Sequence, residues 1–300
     1  MRPNQGWKES GTSLKMESIA ELRNICQTTS KKDKSNVYMR YVCRFLSIYM
    51  TRAILPTAIT ANQVSVAMIA MGFISGIFFL SPMPGTFAVG AVLLQLWYLL
   101  DCMDGEVARY RHYKTTGSVI IDKRESSLTG LYYDMINHYI VNFWVPSSIS
   151  FGLFLKTGNH NWILIGMLGA LTQVLMLAMH DAKSRAILTH LKKYSRVQPV
   201  KEKAGESGGK DRSPAHLAFI ILHYSMTYPS VMNLVGIAAI LNIFSGTFDW
   251  RFPVLLYICF GTAVVSSVLI TRILRNQLVD KELRSSFELI DLPKEAAQVP

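Results

Sequence analysis

Three aspartates and a histidine occur at helical spacings, inside or beside apolar stretches. Asp101 and Asp104 are three residues apart, and Asp134 and His138 are four apart. A helix places each pair on one face. Converging carboxylates repel one another unless they are protonated or bind cations, and oxygen ligands favour a hard divalent ion such as Mg²⁺ or Mn²⁺. Such an ion can neutralise a diphosphate while a phosphate ester is transferred. A purely structural ion-pair contact between helices is the alternative.

The elements that position these residues are predicted to be membrane helices. Half of the 300 residues are hydrophobic, 17% are charged, and no charged residue occurs between Arg52 and Asp101. This composition excludes a disordered tail, a disulfide scaffold and an ordinary soluble enzyme. We predict an all-α, polytopic integral membrane protein with six transmembrane helices. The spans are expected near residues 63–80, 86–103, 130–153, 161–182, 216–244 and 252–272. Pro229 predicts that the fifth span is kinked or begins at the surface.

The orientation follows from the basic residues, which concentrate on the cytosolic side of membrane proteins. Of the 31 Lys and Arg residues, all but Lys156 and Arg251 fall in the two terminal segments and two of the connections. This alternation predicts that both termini and the carboxylate cluster are cytoplasmic, with a bacterial inner membrane as the expected location. The net charge of +11 then reflects topology, and nucleic-acid binding is not implied.

The predicted domain organisation is a polar cytosolic segment (1–35), a membrane domain (36–275) and a cytosolic tail (276–300). Residues 36–52 alternate aromatic and basic side chains at helical spacing, which predicts an amphipathic helix in the cytosolic interface. The four cysteines show no paired spacing, so free thiols and no zinc site are expected.

The acidic cluster resembles the signature of the CDP-alcohol phosphotransferase family. The first half of that signature, D-x-x-D-G-x-x-A-R, is complete, and the second half begins with G-x-x-x-D. The matching residues are Asp101, Asp104, Gly105, Ala108, Arg109, Gly130 and Asp134. A weaker likeness extends over residues 37–190. It includes Asn62 in a stretch before the first span, and Lys183 and Arg185 in a K-x-R-A stretch after the fourth.

The resemblance implies a reaction and a site. A CDP-alcohol, possibly CDP-diacylglycerol, would give its phospho-alcohol group to an acceptor hydroxyl, releasing CMP, in phospholipid or polyol-phosphate synthesis. Asp101, Asp104 and Asp134 would hold Mg²⁺ or Mn²⁺, with two ions expected. The cytidine nucleotide would contact Asn62, Gly105, Ala108, Arg109 and Gly130. Lys183 and Arg185 would bind an acceptor phosphate, and the family also implies a homodimer in the bilayer.

Two features depart from the family pattern. The fourth acidic position, a general base in the family, is His138, whose imidazole can accept a proton or bind a metal. Between Arg109 and Gly130 lie 20 residues, a longer spacer than is usual. The insert could cap the site, contact the acceptor or form a solvated loop. A register starting at Gly117 would leave the third aspartate unmatched.

Two other functions remain open at this point. The intramembrane carboxylates could form the path of a cation transporter, although no internal repeat is visible. Alternatively, the chain could be a non-catalytic family member that retains the nucleotide site.

Overall fold

The computed structural model describes residues 17–27, 37–119, 127–191, 196–199, 213–246, 248–276 and 278–290. These residues are predominantly helical. The α-helices are α1 (Ile19–Cys26), α2 (Arg44–Ile54), α3 (Ala61–Phe79), α4 (Pro84–Thr116), α5 (Leu128–Thr157), α6 (Asn161–Leu191), α7 (Pro214–Ser225), α8 (Ser230–Ser245), α9 (Arg251–Asn276) and α10 (Leu278–Ser286). A π-helical turn at Met39–Cys43 precedes α2.

One short β-ribbon accompanies the helices. Strand β1 (Arg196–Pro199) pairs antiparallel with β2 (Phe287–Ile290), and Arg196 lies opposite Ile290. The all-α prediction therefore holds for the helical body but does not include this ribbon. The two strands are about 90 residues apart in the sequence, in segments predicted to be a cytosolic loop and a cytosolic tail. Pairing over such a separation leaves no local periodic signal for sequence analysis to detect.

Every predicted span coincides with a helix or a helix pair. Over the described residues, four helices (α3, α4, α6 and α9) are long and apolar enough to cross a membrane, and α7 with α8 raises the number to five if that bent pair is one span. These are the helices of an integral membrane protein. Helix α5 is not in this set because its asparagine, serine and proline residues lower its mean hydropathy. The predicted count of six spans is thus not confirmed.

The predicted irregularity at Pro229 is confirmed. Helices α7 and α8 meet at 69°, and Pro229 immediately precedes α8. Proline cannot donate a backbone hydrogen bond and its ring clashes with the preceding turn, so the chain breaks there instead of forming one straight helix.

The chain divides into two compact units. The smaller comprises Met1–Val64 and Leu99–Ser127, and the larger comprises Ser65–Tyr98 and Leu128–Pro300. The domain boundaries predicted from sequence stay a prediction.

The smaller unit is organised around α1, a helix that sequence analysis did not predict. Ser18 and Glu21 form a capping box at its start, with the Glu21 amide donating to Ser18 Oγ and the Ser18 amide to the Glu21 carboxylate. Leu22, Ile25 and Cys26 on its buried face form a core with Ile48 of α2. Such capping satisfies backbone donors that would otherwise lack partners, which helps a helix of eight residues to persist.

In the larger unit, α3 packs closely against α5. A Cβ atom at Gly76 would lie 1.9 Å from Trp144 Nε1, so only glycine admits the indole. Trp144 in turn stacks on Phe73 at 5.0 Å and donates to the Phe73 carbonyl at 2.9 Å. Small residues let helices approach in this way inside membranes.

A buried ion cluster stabilises the loop before α9. Arg251 is 1% exposed and contacts Asp249 at 2.6 Å, while Lys156 of α5 donates to Asp249 at 2.9 Å. Arg251 also donates to the carbonyls of Ser81 and Pro82 at 3.1 and 3.0 Å. Lys156 and Arg251 are the two basic residues outside the segments predicted to be cytosolic, and both bind the carboxylate of Asp249. Burial raises the pKa of Asp249, but the hydrogen bonds from Arg251 and Lys156 outweigh it and lower the pKa to about 2.

The insert after Arg109 is helical in its first part. Helix α4 continues to Thr116 instead of ending near the predicted limit of the span, so the first seven inserted residues extend the helix. Residues 120–126, which include the charged part of the insert, lie outside the described residues.

Candidate metal and phosphate site

The predicted pair on α5 has the expected geometry. His138 Nε2 lies 3.3 Å from Asp134 Oδ1, and both side chains are partly exposed. Trp97 of α4 packs edge-on against the His138 ring, with the ring centroids 5.5 Å apart. The Trp97 indole also donates to the buried Asn137 side chain at 3.0 Å. These contacts fix the orientation of the imidazole from the side of α4.

The predicted pair on α4 lies in a continuous helix. Asp101 and Asp104 occupy successive turns of α4 and both are half-buried. Asp101 follows Trp97 by one turn, so it shares the helix face that carries the indole.

Asp134 and His138 offer a carboxylate oxygen and an imidazole nitrogen from one face of α5. Carboxylate and imidazole ligands suit Mn²⁺ and accommodate Mg²⁺. These two residues could therefore take part in holding a divalent ion, and the predicted roles of Asp101 and Asp104 in binding it stay predictions.

The arginine of the signature is held by two features of the smaller unit. Arg109 Nε donates to the Cys26 carbonyl at the end of α1. A Cβ atom at Gly105 would lie 3.0 Å from Arg109 Nη1, so the guanidinium occupies the space that this glycine leaves. The glycine of the motif thus makes room for the arginine one turn later.

The remaining predicted nucleotide residues lie at helix starts or on α4. Asn62 is in the first turn of α3, Gly130 is in the first turn of α5, and Ala108 is exposed on α4. Thr60 and Gln63 cap α3: the Thr60 amide donates to Gln63 Oε1 at 2.8 Å, and the Gln63 amide to Thr60 Oγ1 at 3.3 Å. Roles for Asn62, Gly130 and Ala108 at a nucleotide stay predictions.

The two predicted acceptor residues differ in their surroundings. Lys183 Nζ donates to Glu282 of α10 at 2.8 Å. Arg185 lines a cavity of about 410 Å³ together with Ala182, Ala186, Thr189 and His190. The sequence offered no indication of the Glu282 contact, because that residue follows 99 positions later.

The residue that sequence reasoning missed is Glu106, which is fully buried and accepts four hydrogen bonds. Its donors are Ser47 Oγ at 2.6 Å, Thr51 Oγ1 at 2.7 Å, Gln27 Nε2 at 2.8 Å and Arg44 Nη1 at 3.2 Å. Glu106 thereby connects the end of α1, helix α2 and the signature part of α4. One sequence feature did indicate Glu106, because it is a charged residue at a variable position of the signature.

A second set of contacts connects α1 to the extension of α4. Glu17 accepts from Tyr110 Oη at 2.6 Å and forms an ion pair with Lys114. Burial alone would raise the pKa of Glu17. The hydrogen bonds from Lys114 and Tyr110 act in the opposite direction and outweigh burial, so the pKa lies below its ordinary value. The inserted residues Tyr110 and Lys114 thus bind the N-terminal helix.

Comparison with known proteins agrees with the geometry. Residues 58–179 match the family described as CDP-alcohol phosphatidyltransferase. This segment includes Asp101, Asp134 and His138, and it confirms the resemblance carried by the signature. No curated protein matches the chain.

Proposed function

We propose a reaction for this chain, whose residues 58–179 match the CDP-alcohol phosphatidyltransferase family. The family supports a transferase that moves a phospho-alcohol group in lipid synthesis. The finer proposal is that the chain takes the phospho-alcohol group from a CDP-alcohol, passes it to an acceptor hydroxyl and releases CMP. CDP-diacylglycerol with a soluble acceptor is the favoured pair of substrates.

The observation that carries this proposal is the contact between Asp134 and His138 inside the matched segment, which also contains the signature residues Asp101 and Asp104. Asp101 and Asp134 would hold a divalent ion, with Asp104 beside them for a second. Bound Mg²⁺ or Mn²⁺ neutralises diphosphate charge and stabilises the charge that develops on the leaving phosphate. Charge stabilisation and positioning are the main requirements of phosphoryl transfer.

His138 is the proposed general base. The acceptor oxygen forms a bond to the phosphorus that carries the alcohol, and the bond from that phosphorus to the oxygen of CMP breaks. The acceptor proton passes to an imidazole nitrogen, and CMP leaves with the electron pair of the broken bond. The Trp97 contact limits rotation of the ring, and Asp134 at 3.3 Å stabilises the imidazolium that forms.

His138 could instead serve only as a metal ligand, and two variants separate the roles. General-base catalysis contributes about 10²- to 10⁴-fold. We expect His138→Ala to lower kcat by about that factor, and His138→Asp to restore much of it because a carboxylate also accepts a proton. Near-normal turnover of His138→Ala at saturating acceptor would contradict the role as base.

Arg109 is proposed to bind a phosphate of the nucleotide. Its Nε contact with Cys26 and the space above Gly105 hold the guanidinium in place, and a guanidinium can bind phosphate through two parallel hydrogen bonds. Gly105→Ala would displace Arg109, so we expect this variant to raise the KM for the CDP-alcohol.

Arg185 is the stronger candidate for the acceptor site, because it lines a cavity whereas Lys183 contacts Glu282. We expect Arg185→Gln to raise the KM for a phosphate-bearing acceptor and to leave the KM for the donor unchanged. An unchanged KM for the acceptor would remove Arg185 from the site.

The setting of this reaction is also part of the proposal. The distribution of basic residues supports cytoplasmic termini and an active site at the cytoplasmic surface of the membrane. A bacterial inner membrane is the proposed location. The exposed apolar residues of α6, such as Leu164, Met167 and Leu171, suit contact with lipid or with a second copy in a homodimer.

The test is CMP release by the purified protein in detergent with Mg²⁺ or Mn²⁺. CDP-diacylglycerol, CDP-choline, CDP-ethanolamine and CDP-inositol are offered separately with pooled acceptors, and mass spectrometry identifies the product. We expect release from one donor that Asp101→Asn abolishes. Asp280→Asn, an exposed aspartate of α10, is the matched control and should leave release unchanged. CDP binding without release would indicate a non-catalytic member, and cation flux without release would indicate a transporter.

A further inference from the structure

A cavity lined by arginines opens on the smaller unit, apart from the proposed catalytic residues. Its volume is about 230 Å³. The lining residues are Arg23, Gln27, Arg40, Tyr41, Arg44 and Phe45. Among the described residues, this lining carries three guanidinium groups and no carboxylate, which is the composition of an anion site rather than of a cation site.

Part of the cavity wall is fixed by the buried carboxylate of Glu106. Arg44 Nη1 lies 3.2 Å from Glu106, and Gln27 Nε2 donates both to Glu106 and to the Arg44 carbonyl at 2.8 Å. Glu106 thereby offsets one of the three positive charges and holds two lining residues in position. A wall that is already ordered loses little conformational entropy when a ligand binds.

The other two arginines have aromatic neighbours. Arg23 lies over the Phe45 ring at 5.5 Å, and Arg40 over the Tyr41 ring at 5.3 Å. Within the described part of the chain, neither forms an ion pair with a carboxylate. Stacking on aromatic rings keeps a guanidinium charged and oriented while its donors stay available.

The cavity borders an exposed apolar face on the same helical segment. The exposed large apolar side chains there are Val37, Tyr41, Val42, Phe45, Leu46 and Tyr49. Such a face is unfavourable in water and stable at the boundary between lipid headgroups and acyl chains. The phosphate group that this cavity would bind therefore belongs to a lipid at that boundary. Contact with the lipid also accounts for the aromatic residues in the lining.

We infer that this cavity binds the phosphate headgroup of an anionic membrane phospholipid, with Arg23 and Arg40 as its principal contacts. The inference goes beyond the proposed function, because the lipid here is a docking ligand and not a substrate. It explains why a basic cavity and an apolar face occur together next to α1. A soluble phosphate would account for the arginines but not for the face.

Native mass spectrometry of the full-length protein in a neutral detergent tests the inference. Phosphatidylglycerol and phosphatidylcholine are titrated separately, and inorganic phosphate is added as a competitor. We expect phosphatidylglycerol to bind more tightly than phosphatidylcholine, with millimolar phosphate displacing little of it. Equal binding of the two lipids would overturn the inference, and so would displacement by phosphate at the concentration of the lipid.

Two double variants separate the cavity from general surface charge. Each basic residue near an anionic surface contributes roughly fivefold in affinity, so Arg23→Gln with Arg40→Gln should weaken phosphatidylglycerol binding at least about tenfold. Arg52→Gln with Arg275→Gln removes the same charge from two exposed sites outside the cavity and should change binding less than about threefold. Equal losses in the two double variants would refute a specific site.

A single variant keeps the test decisive if the first double variant unfolds. Arg40 is exposed, so Arg40→Gln is expected to fold. It should weaken binding about fivefold on the same grounds. Wild-type affinity in folded Arg40→Gln would overturn the inference.

Discussion

Removing the carboxylate of Glu106 should release the N-terminal helix from the signature helix. Glu106→Ala leaves Arg44 without its buried carboxylate partner, and it removes the carboxylate acceptor from the hydroxyls of Ser47 and Thr51. Breaking a buried ion pair costs about 3–5 kcal/mol, and each unsatisfied buried donor costs about 1–3 kcal/mol. Because Arg44 keeps some exposure and can recover water, we take about 3 kcal/mol as the expected loss in the free energy of opening of the smaller unit.

The assay is alkylation of Cys26, which is fully buried on α1. Burial raises the pKa of this thiol to about 12, so it reacts only when α1 opens. When reclosing is fast compared with alkylation, the rate follows the open population, and a loss of about 3 kcal/mol speeds the alkylation of Cys26 roughly 100-fold. Cys259 on α9 is also buried and belongs to the larger unit, so its labelling rate is the internal control.

The labelling rates of Cys26 and Cys259 come from one sample, so local opening of α1 can be separated from global unfolding. Glu106→Gln keeps an acceptor oxygen but loses the charge, so its effect on Cys26 should fall between wild type and Glu106→Ala. Wild-type labelling of Cys26 in Glu106→Ala would refute the reasoning. Equal acceleration at Cys259 would show global unfolding instead of local release.

Three further predictions concern stability and catalysis. The pKa of Asp249 is depressed, so its ion cluster stabilises the fold above the ordinary carboxyl pKa near 4, and this contribution is lost as the pH falls towards 2. The thermal midpoint of wild type should therefore fall more than that of Asp249→Asn between pH 4 and pH 2, and parallel curves would contradict this. Gly76→Ala should cost about 1–3 kcal/mol because its Cβ atom would overlap Trp144, whereas Gly85→Ala, with no atom within 4 Å, should leave the thermal midpoint unchanged. The fall in kcat of His138→Ala should exceed any change in its KM for the donor, and a pure KM effect would point to nucleotide binding.

The parts of the structure that follow from local patterns could be predicted from the sequence. The spacing of Asp134 and His138 predicted their shared face, and their contact at 3.3 Å agrees with it. The bend before α8 followed from Pro229, since a proline inside a helix removes a backbone hydrogen bond and crowds the preceding turn. Such features depend on residues within one or two turns of each other.

The parts that depend on distant contacts could not be predicted. Gln27 and Glu106 are 79 residues apart, and no periodicity relates them. Lys183 was predicted to bind the acceptor from its K-x-R-A stretch, and its contact with Glu282 could not be predicted because the two residues are 99 positions apart. The capping pair Ser18 and Glu21 was a local signal for α1, but the polar composition of the first 35 residues obscured it.

The most direct test of the central claim is Mn²⁺ binding to the purified protein, measured by electron paramagnetic resonance in the presence of a CDP-alcohol. Wild type should bind Mn²⁺ saturably. The double variant Asp101→Asn with Asp134→Asn should bind it at least about tenfold more weakly, while Asp280→Asn should match wild type. Equal Mn²⁺ affinity in the double variant and wild type would contradict the assignment of Asp101 and Asp134 as metal ligands.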